Sequence, residues 1–129
     1  MIAYGIDENG KTVEFGRVTL QEGLAMLRAR YAHAGTFFES EKDFEPNGVV
    51  GFARDGDRHF IEIYVCGPDH LTLRFERHRS GFLGFSERRN ELVNLQALEQ
   101  TENMVTRYFN MDEEAFESFF GTLPERVRQ

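Results

Sequence analysis

The segment 59–78 constrains the fold most. Its side chains alternate between two characters at a period of two, on both sides of Gly67-Pro68-Asp69. That period belongs to a β-strand and not to a helix. The Gly-Pro-Asp cluster marks a turn, so residues 59–66 and 70–78 read as a hairpin. A three-residue loop sets Cys66 opposite His70. It then pairs Val65 with Leu71, Ile63 with Leu73 and Ile61 with Phe75 on one face. The other face pairs Tyr64 with Thr72, Glu62 with Arg74 and Phe60 with Glu76. One face is apolar throughout and the other is mixed. A slip of one residue would scramble both, so the pattern specifies its own register.

The flanking segments extend this sheet. Residues 49–54 add Val50 and Phe52 to the apolar face, and residues 36–41 read as another strand. Residues 2–7 and 12–17 read as a hairpin around Asn9-Gly10, which suits a two-residue turn. That turn sets Ile6 against Val13 and Tyr4 against Phe15, with Gly5 and Glu14 on the opposite side. Thr19 with Glu22 forms a capping box. Leu20, Leu24, Leu27 and Tyr31 follow at helical spacing, which predicts a helix over 20–34 before Gly35.

Residues 80–91 carry no clear period, and Leu92–Leu95 reads as a short edge strand. Helical spacing resumes near Leu98 with Thr101, Val105 and Tyr108. Asp112 is placed to cap a last helix holding Phe116, Phe119 and Phe120, and the tail after Pro124 reads as frayed. The chain is therefore expected to be a single α+β domain over residues 1–129. Its expected architecture is a curved antiparallel sheet, made of an N-terminal hairpin plus a meander. One helix follows the hairpin and two helices lie at the C-terminus.

Charge narrows the functional classes. The formal net charge is −7, which argues against nucleic acid as a partner. The charge is uneven. Residues 1–45 carry −3, residues 46–98 carry zero and residues 99–129 carry −4. Arg74, Arg77, Arg79, Arg88 and Arg89 form the one basic concentration, and Glu76, Glu87 and Glu91 dilute it. The N-terminus lacks the basic start and long apolar run of a signal peptide, and no run reaches membrane-spanning length, so a cytoplasmic location is expected.

No catalytic set emerges. His33, His59, His70 and His78 lack close metal-ligand spacing, and the single cysteine, Cys66, excludes an intramolecular disulfide. A Cys66–His70 pair has no third ligand beyond Asp69 and no oxyanion site. Glu39, Glu41, Asp43 and Glu45 read as a solvated edge or loop. The expectation is a non-enzyme with no cofactor and no metal. The mixed face remains, with Phe60, Glu62, Tyr64, Thr72, Arg74 and Glu76 as the candidate partner-binding residues. Tyrosine and arginine are enriched where proteins meet. The same residues would be structural if the C-terminal helices covered that face.

The order of elements, with Leu98-Glu99-Gln100-Thr101-Glu102-Asn103-Met104-Val105-Thr106-Arg107-Tyr108-Phe109 as its late helix, resembles small bacterial immunity proteins. Those proteins neutralise polymorphic or contact-delivered toxins. This chain departs from one group of them in having no tryptophan and in adding a second short helix over 113–120. The resemblance implies an acidic, cytoplasmic, non-enzymatic protein whose partner is a toxin domain. It assigns no contact residues, because such families vary that surface. Two alternatives stand beside it. One is a self-associating structural or regulatory domain, a homodimer joined through Thr36–Glu41 or Leu92–Leu95. The other is a small-molecule binder with a pocket between sheet and helices.

Overall fold

A computed structural model describes residues 1–7, 9–35, 49–54, 58–84 and 86–128. The elements are β1 (Ile2–Ile6), β2 (Thr12–Arg17), α1 (Leu20–Gly35), β3 (Val49–Ala53), β4 (His59–Gly67), β5 (His70–Ser80), β6 (Ser86–Leu95), α2 (Leu98–Asn110), α3 (Glu113–Gly121) and β7 (Val127–Arg128). The strands form one open sheet in the order β2-β1-β3-β4-β5-β6-β7, and every neighbouring pair is antiparallel. The fold is α+β, as expected. The expected strand at 36–41 and the acidic cluster after it lie outside the described residues.

The β4–β5 register follows the alternation from Phe60–Glu76 through Val65–Leu71. It breaks at Cys66. Gly67, not Cys66, faces His70, and a bulge absorbs the extra residue. The turn therefore has two residues, Pro68 and Asp69. The apolar face carries Val50, Phe52, Ile61, Ile63, Val65, Leu71, Leu73, Phe75 and Val93, all buried. Leu24 and Leu27 of α1, Met104, Val105 and Tyr108 of α2, and Phe116 and Phe120 of α3 close this core from one side. Phe75 is a hub, with its ring centroid 5.2 Å from Phe120 and 5.4 Å from Phe116.

Local chemistry sets the helix ends. Thr19 Oγ1 accepts from the Glu22 amide at 3.2 Å, and the Thr19 amide donates to Glu22 Oε1 at 3.0 Å. The two orphan donors at the start of α1 are thus satisfied reciprocally. Asp112 Oδ1 accepts from the Ala115 amide at 2.7 Å and starts α3 in the same way. Among the described residues, no helix is long and apolar enough to cross a membrane.

The first hairpin departs from expectation. Asp7 Oδ1 accepts from the amides of Asn9 (2.9 Å) and Lys11 (2.8 Å), and the Asp7 amide donates to the Lys11 carbonyl at 2.8 Å. Gly10 sits at φ +79°. This is a three-residue loop with a left-handed glycine, not the two-residue turn that Asn9-Gly10 suggested. The extra residue moves the register by one, to Ile6–Thr12, Gly5–Val13 and Tyr4–Glu14. A bulge before Gly16, whose φ is +96°, then restores Ala3–Gly16. Two more expectations change. Residues 86–95 form one long strand, longer than the short Leu92–Leu95 segment expected. Beyond Leu92 its far side has no strand partner among the described residues, so Val93–Leu95 is an edge as expected. Val127–Arg128 of the tail pairs with β6 as β7.

Truncating the hub tests this core. Phe75→Ala should cost about 3–5 kcal/mol, by lost burial plus the cavity left behind. Urea unfolding should show it as a lower midpoint with a similar slope. A loss under about 1 kcal/mol would mean that α3 does not depend on this ring.

Candidate functional site

All three helices pack on the apolar side, so the mixed side of the sheet faces away from them. The six residues singled out from the sequence lie on that side in two paired rows, Phe60–Glu76, Glu62–Arg74 and Tyr64–Thr72. Glu62 is the centre. Its carboxylate accepts from Tyr4 Oη at 2.8 Å, from Arg74 Nε at 3.1 Å, from Arg74 Nη2 at 2.6 Å, and from Tyr64 Oη. Arg74 also reaches Glu76 Oε2 at 3.1 Å. Glu76 Oε1 in turn meets His78 Nε2 at 2.9 Å and Arg88 Nη2 at 2.6 Å. Glu62 and Glu76 are buried although they point away from the helices. Flanking side chains exclude water there, so the carboxylates depend on these donors.

The electrostatics follow from that crowding. Burial raises the Tyr4 hydroxyl far above its ordinary pKa, and the adjacent Glu62 charge adds to the effect. Tyr64 is raised for the same two reasons. Both stay protonated as donors to Glu62. Burial acts to lower Arg74, but its contacts with Glu62 and Glu76 outweigh this and hold the guanidinium charged. Thr72 belongs to a separate polar group. Its hydroxyl donates to Asn94 Oδ1 at 2.9 Å, and His70 Nε2 lies 3.2 Å from the same oxygen. Cys66 is exposed. Its nearest polar contacts are the Tyr64 carbonyl and Thr72 Oγ1, not His70.

Tyr4 joins this face because it pairs with Gly51 of β3, which pairs with Glu62, and the shifted register of the first hairpin sets Glu14 opposite Tyr4. With Ile2, Ala53, Phe60 and Glu62 they line a cavity of about 280 Å3. The Tyr4 and Phe60 rings meet edge to face at 6.2 Å, and the Arg74 guanidinium lies 5.5 Å from the Phe60 ring centre. Gly51 makes the arrangement fit. A Cβ there would stand 2.1 Å from Tyr4 Cζ, so only glycine lets the ring lie across β3. The Asp7 side chain ahead of Asn9-Gly10, and Gly16 within β2, were the signals for the longer loop and the bulge.

The opposite side holds a polar group that spacing did not reveal. His59 is buried at 2% exposure, with Nδ1 2.9 Å from Tyr108 Oη. The Tyr108 hydroxyl also reaches the His59 carbonyl at 3.1 Å. His59 Nε2 faces Glu117 Oε1 at 3.5 Å without a hydrogen bond. Arg54 donates to the Tyr108 and Met111 carbonyls. This group ties β4 to both C-terminal helices from inside the core. A further cavity of about 430 Å3 lies between β6, α2 and residues 123–125, with Leu95, Gln100, Asn103 and Met104 in its lining. Among the described residues no His, Cys, Asp and Glu cluster could hold a metal ion. No protein-family model, curated protein or solved structure matches this chain.

Burial lowers the His59 pKa from 6.5 to about 4, with Arg54, Arg79 and Arg77 acting in the same direction and Glu117 opposing them. The unfolded chain therefore binds this proton more tightly than the folded one. The stability held by the neutral ring is complete above pH 6.5 and is lost as pH falls toward 4. One proton contributes a slope of at most about 1.4 kcal/mol per pH unit. Urea midpoints measured across that window should fall less steeply in His59→Gln than in the unsubstituted protein. Equal slopes would show that His59 does not titrate with unfolding.

Proposed function

We propose that the chain is a non-enzymatic protein-binding module that captures a basic side chain of its partner on the open sheet face, as an immunity-type inhibitor of a toxin would. The cavity between Tyr4, Phe60 and Glu14 carries this reading. A lysine or arginine has an apolar stem and a charged head. Ile2, Ala53 and the two rings suit the stem, and an aromatic face attracts the cation. Glu14 stands at the rim, exposed, and makes no ion pair among the described residues. The net charge of −7 adds a long-range attraction that speeds encounter with a basic partner. Glu62 is already committed to Tyr4, Tyr64 and Arg74. Its part is to hold the walls, and Glu14 meets the incoming charge.

The test uses the basic product of an adjacent toxin-like open reading frame as the partner. Glu14→Lys should weaken the complex by about tenfold or more, equivalent to about 1.4 kcal/mol, with the melting temperature unchanged. Tyr64→Ala and Arg74→Ala should weaken it too. They should also lower the melting temperature, because each leaves the buried Glu62 short of a donor. Unchanged affinity in Glu14→Lys would remove this face from the interface.

Self-association is a second reading, and one observation favours it. Among the described residues β2 is an edge strand with a strand partner on one side only, and Val13 is 38% and Phe15 44% exposed. An unpaired edge of this kind is a template for another strand. Light scattering at micromolar concentration should give a dimer that Phe15→Lys dissolves. A monomer at all concentrations would exclude this reading.

A further inference from the structure

We propose that the arginine-lined cavity where β7 joins β6 binds a small, multiply charged phosphate-class anion such as pyrophosphate. Arg77, Arg88, Arg89, Arg126 and Arg128 line this cavity of about 420 Å3, and among the described residues Glu87 and Glu91 are the only acids in its lining. Such a concentration is notable in a chain of net charge −7. The volume lies within the roughly 300–1,000 Å3 typical of small-ligand sites.

The arginines exceed what the local acids need. Glu91 is buried at 3% exposure and accepts from Arg89 Nη2 at 3.0 Å. Arg126 Nε and Arg128 Nε approach its two oxygens at 3.5 and 3.6 Å, without hydrogen bonds. Three guanidinium groups therefore surround one carboxylate. The Arg128 side chain is 85% exposed and makes no hydrogen bond among the described residues. Arg77 Nε is buried without a hydrogen bond and faces Glu117 Oε1 at 3.5 Å, and Asn90 Oδ1 is buried with no hydrogen-bond partner. Guanidinium groups present several donors in a planar fork that matches phosphate oxygens. A phosphate-class anion would accept from the arginines. The C-terminal segment shapes the site. Arg126 donates from Nη1 to the Leu123 carbonyl at 3.0 Å, and the pairing of Val127 and Arg128 with β6 brings both arginines to the cavity. This inference does not depend on the open-face reading, because Tyr4, Glu14 and Phe60 take no part in it.

Calorimetric titration of the full chain tests it, with pyrophosphate, inorganic phosphate and sulfate at constant ionic strength. Pyrophosphate should bind more tightly than sulfate. Arg128→Gln should weaken pyrophosphate binding by about fivefold or more, as expected for losing one charge-assisted contact. Its melting temperature should be unchanged, because that side chain is exposed. Glu87→Gln should strengthen binding, since it removes an opposing charge from a side chain that is 74% exposed. A purely structural role for the arginines would not produce that gain. No binding of pyrophosphate, equal binding of sulfate, or an Arg128→Gln variant that binds as before would each overturn the proposal. A single-stranded oligonucleotide that bound more tightly than pyrophosphate would also overturn the small-ligand assignment.

Discussion

Side-chain alternation along β4 and β5 is the constraint on which the other features depend. Each strand sends successive residues to opposite faces, and antiparallel pairing aligns like with like. Ile61, Ile63 and Val65 meet Phe75, Leu73 and Leu71, and that surface is covered by helices. Phe60, Glu62 and Tyr64 meet Glu76, Arg74 and Thr72 on the other side. Phe75 then anchors α3 through Phe116 and Phe120, and Phe52 meets Phe109 at the end of α2 with ring centres 5.3 Å apart. The helices gather on one side because only that side offers apolar surface to bury.

Buried carboxylates organise the polar half of the molecule. Glu62, Glu76, Glu91 and Glu117 are the four buried acids among the described residues, and each is met by arginine. An ionised carboxylate withdrawn from water is costly unless its oxygens are met by donors. This explains most of the basic concentration between Arg74 and Arg89. Arg74 serves Glu62 and Glu76, Arg88 serves Glu76, and Arg77 and Arg79 serve Glu117. The exception is the β6 edge, where Arg126 and Arg128 add charge beyond what Glu91 needs. Two surfaces result. Glu14 and Glu62 line one cavity, and five arginines line the other.

Legibility along the chain tracked how local the determining interaction was. The capping groups Thr19–Glu22 and Asp112–Ala115 act within three residues, and both were readable. The β4–β5 register was readable because every slip would place glutamate or arginine in the core. The β1–β2 register was not, because Tyr4, Val13 and Phe15 are apolar enough for either face. A side-chain turn at Asp7 and a bulge near Gly16 decided it and set Glu14 opposite Tyr4, which its pairing with Gly51 of β3 places on the open side. The clustering of Phe60, Glu62, Tyr64, Thr72, Arg74 and Glu76 followed from alternation alone. Their hydrogen-bond partner Tyr4 did not.

By itself the sequence determined the α+β class, the helix boundaries and the two-faced hairpin at the centre of the sheet. Those features follow from side-chain periodicity and from caps that close within one turn. Only the tertiary structure decided that the helices leave the mixed face open, that Glu14 completes a cavity there, and that the tail returns to β6 with Arg126 and Arg128. It also decided the burial of His59 beneath Tyr108 and Glu117. These outcomes join residues about 35 or more positions apart, and loop closure leaves no local pattern in the chain.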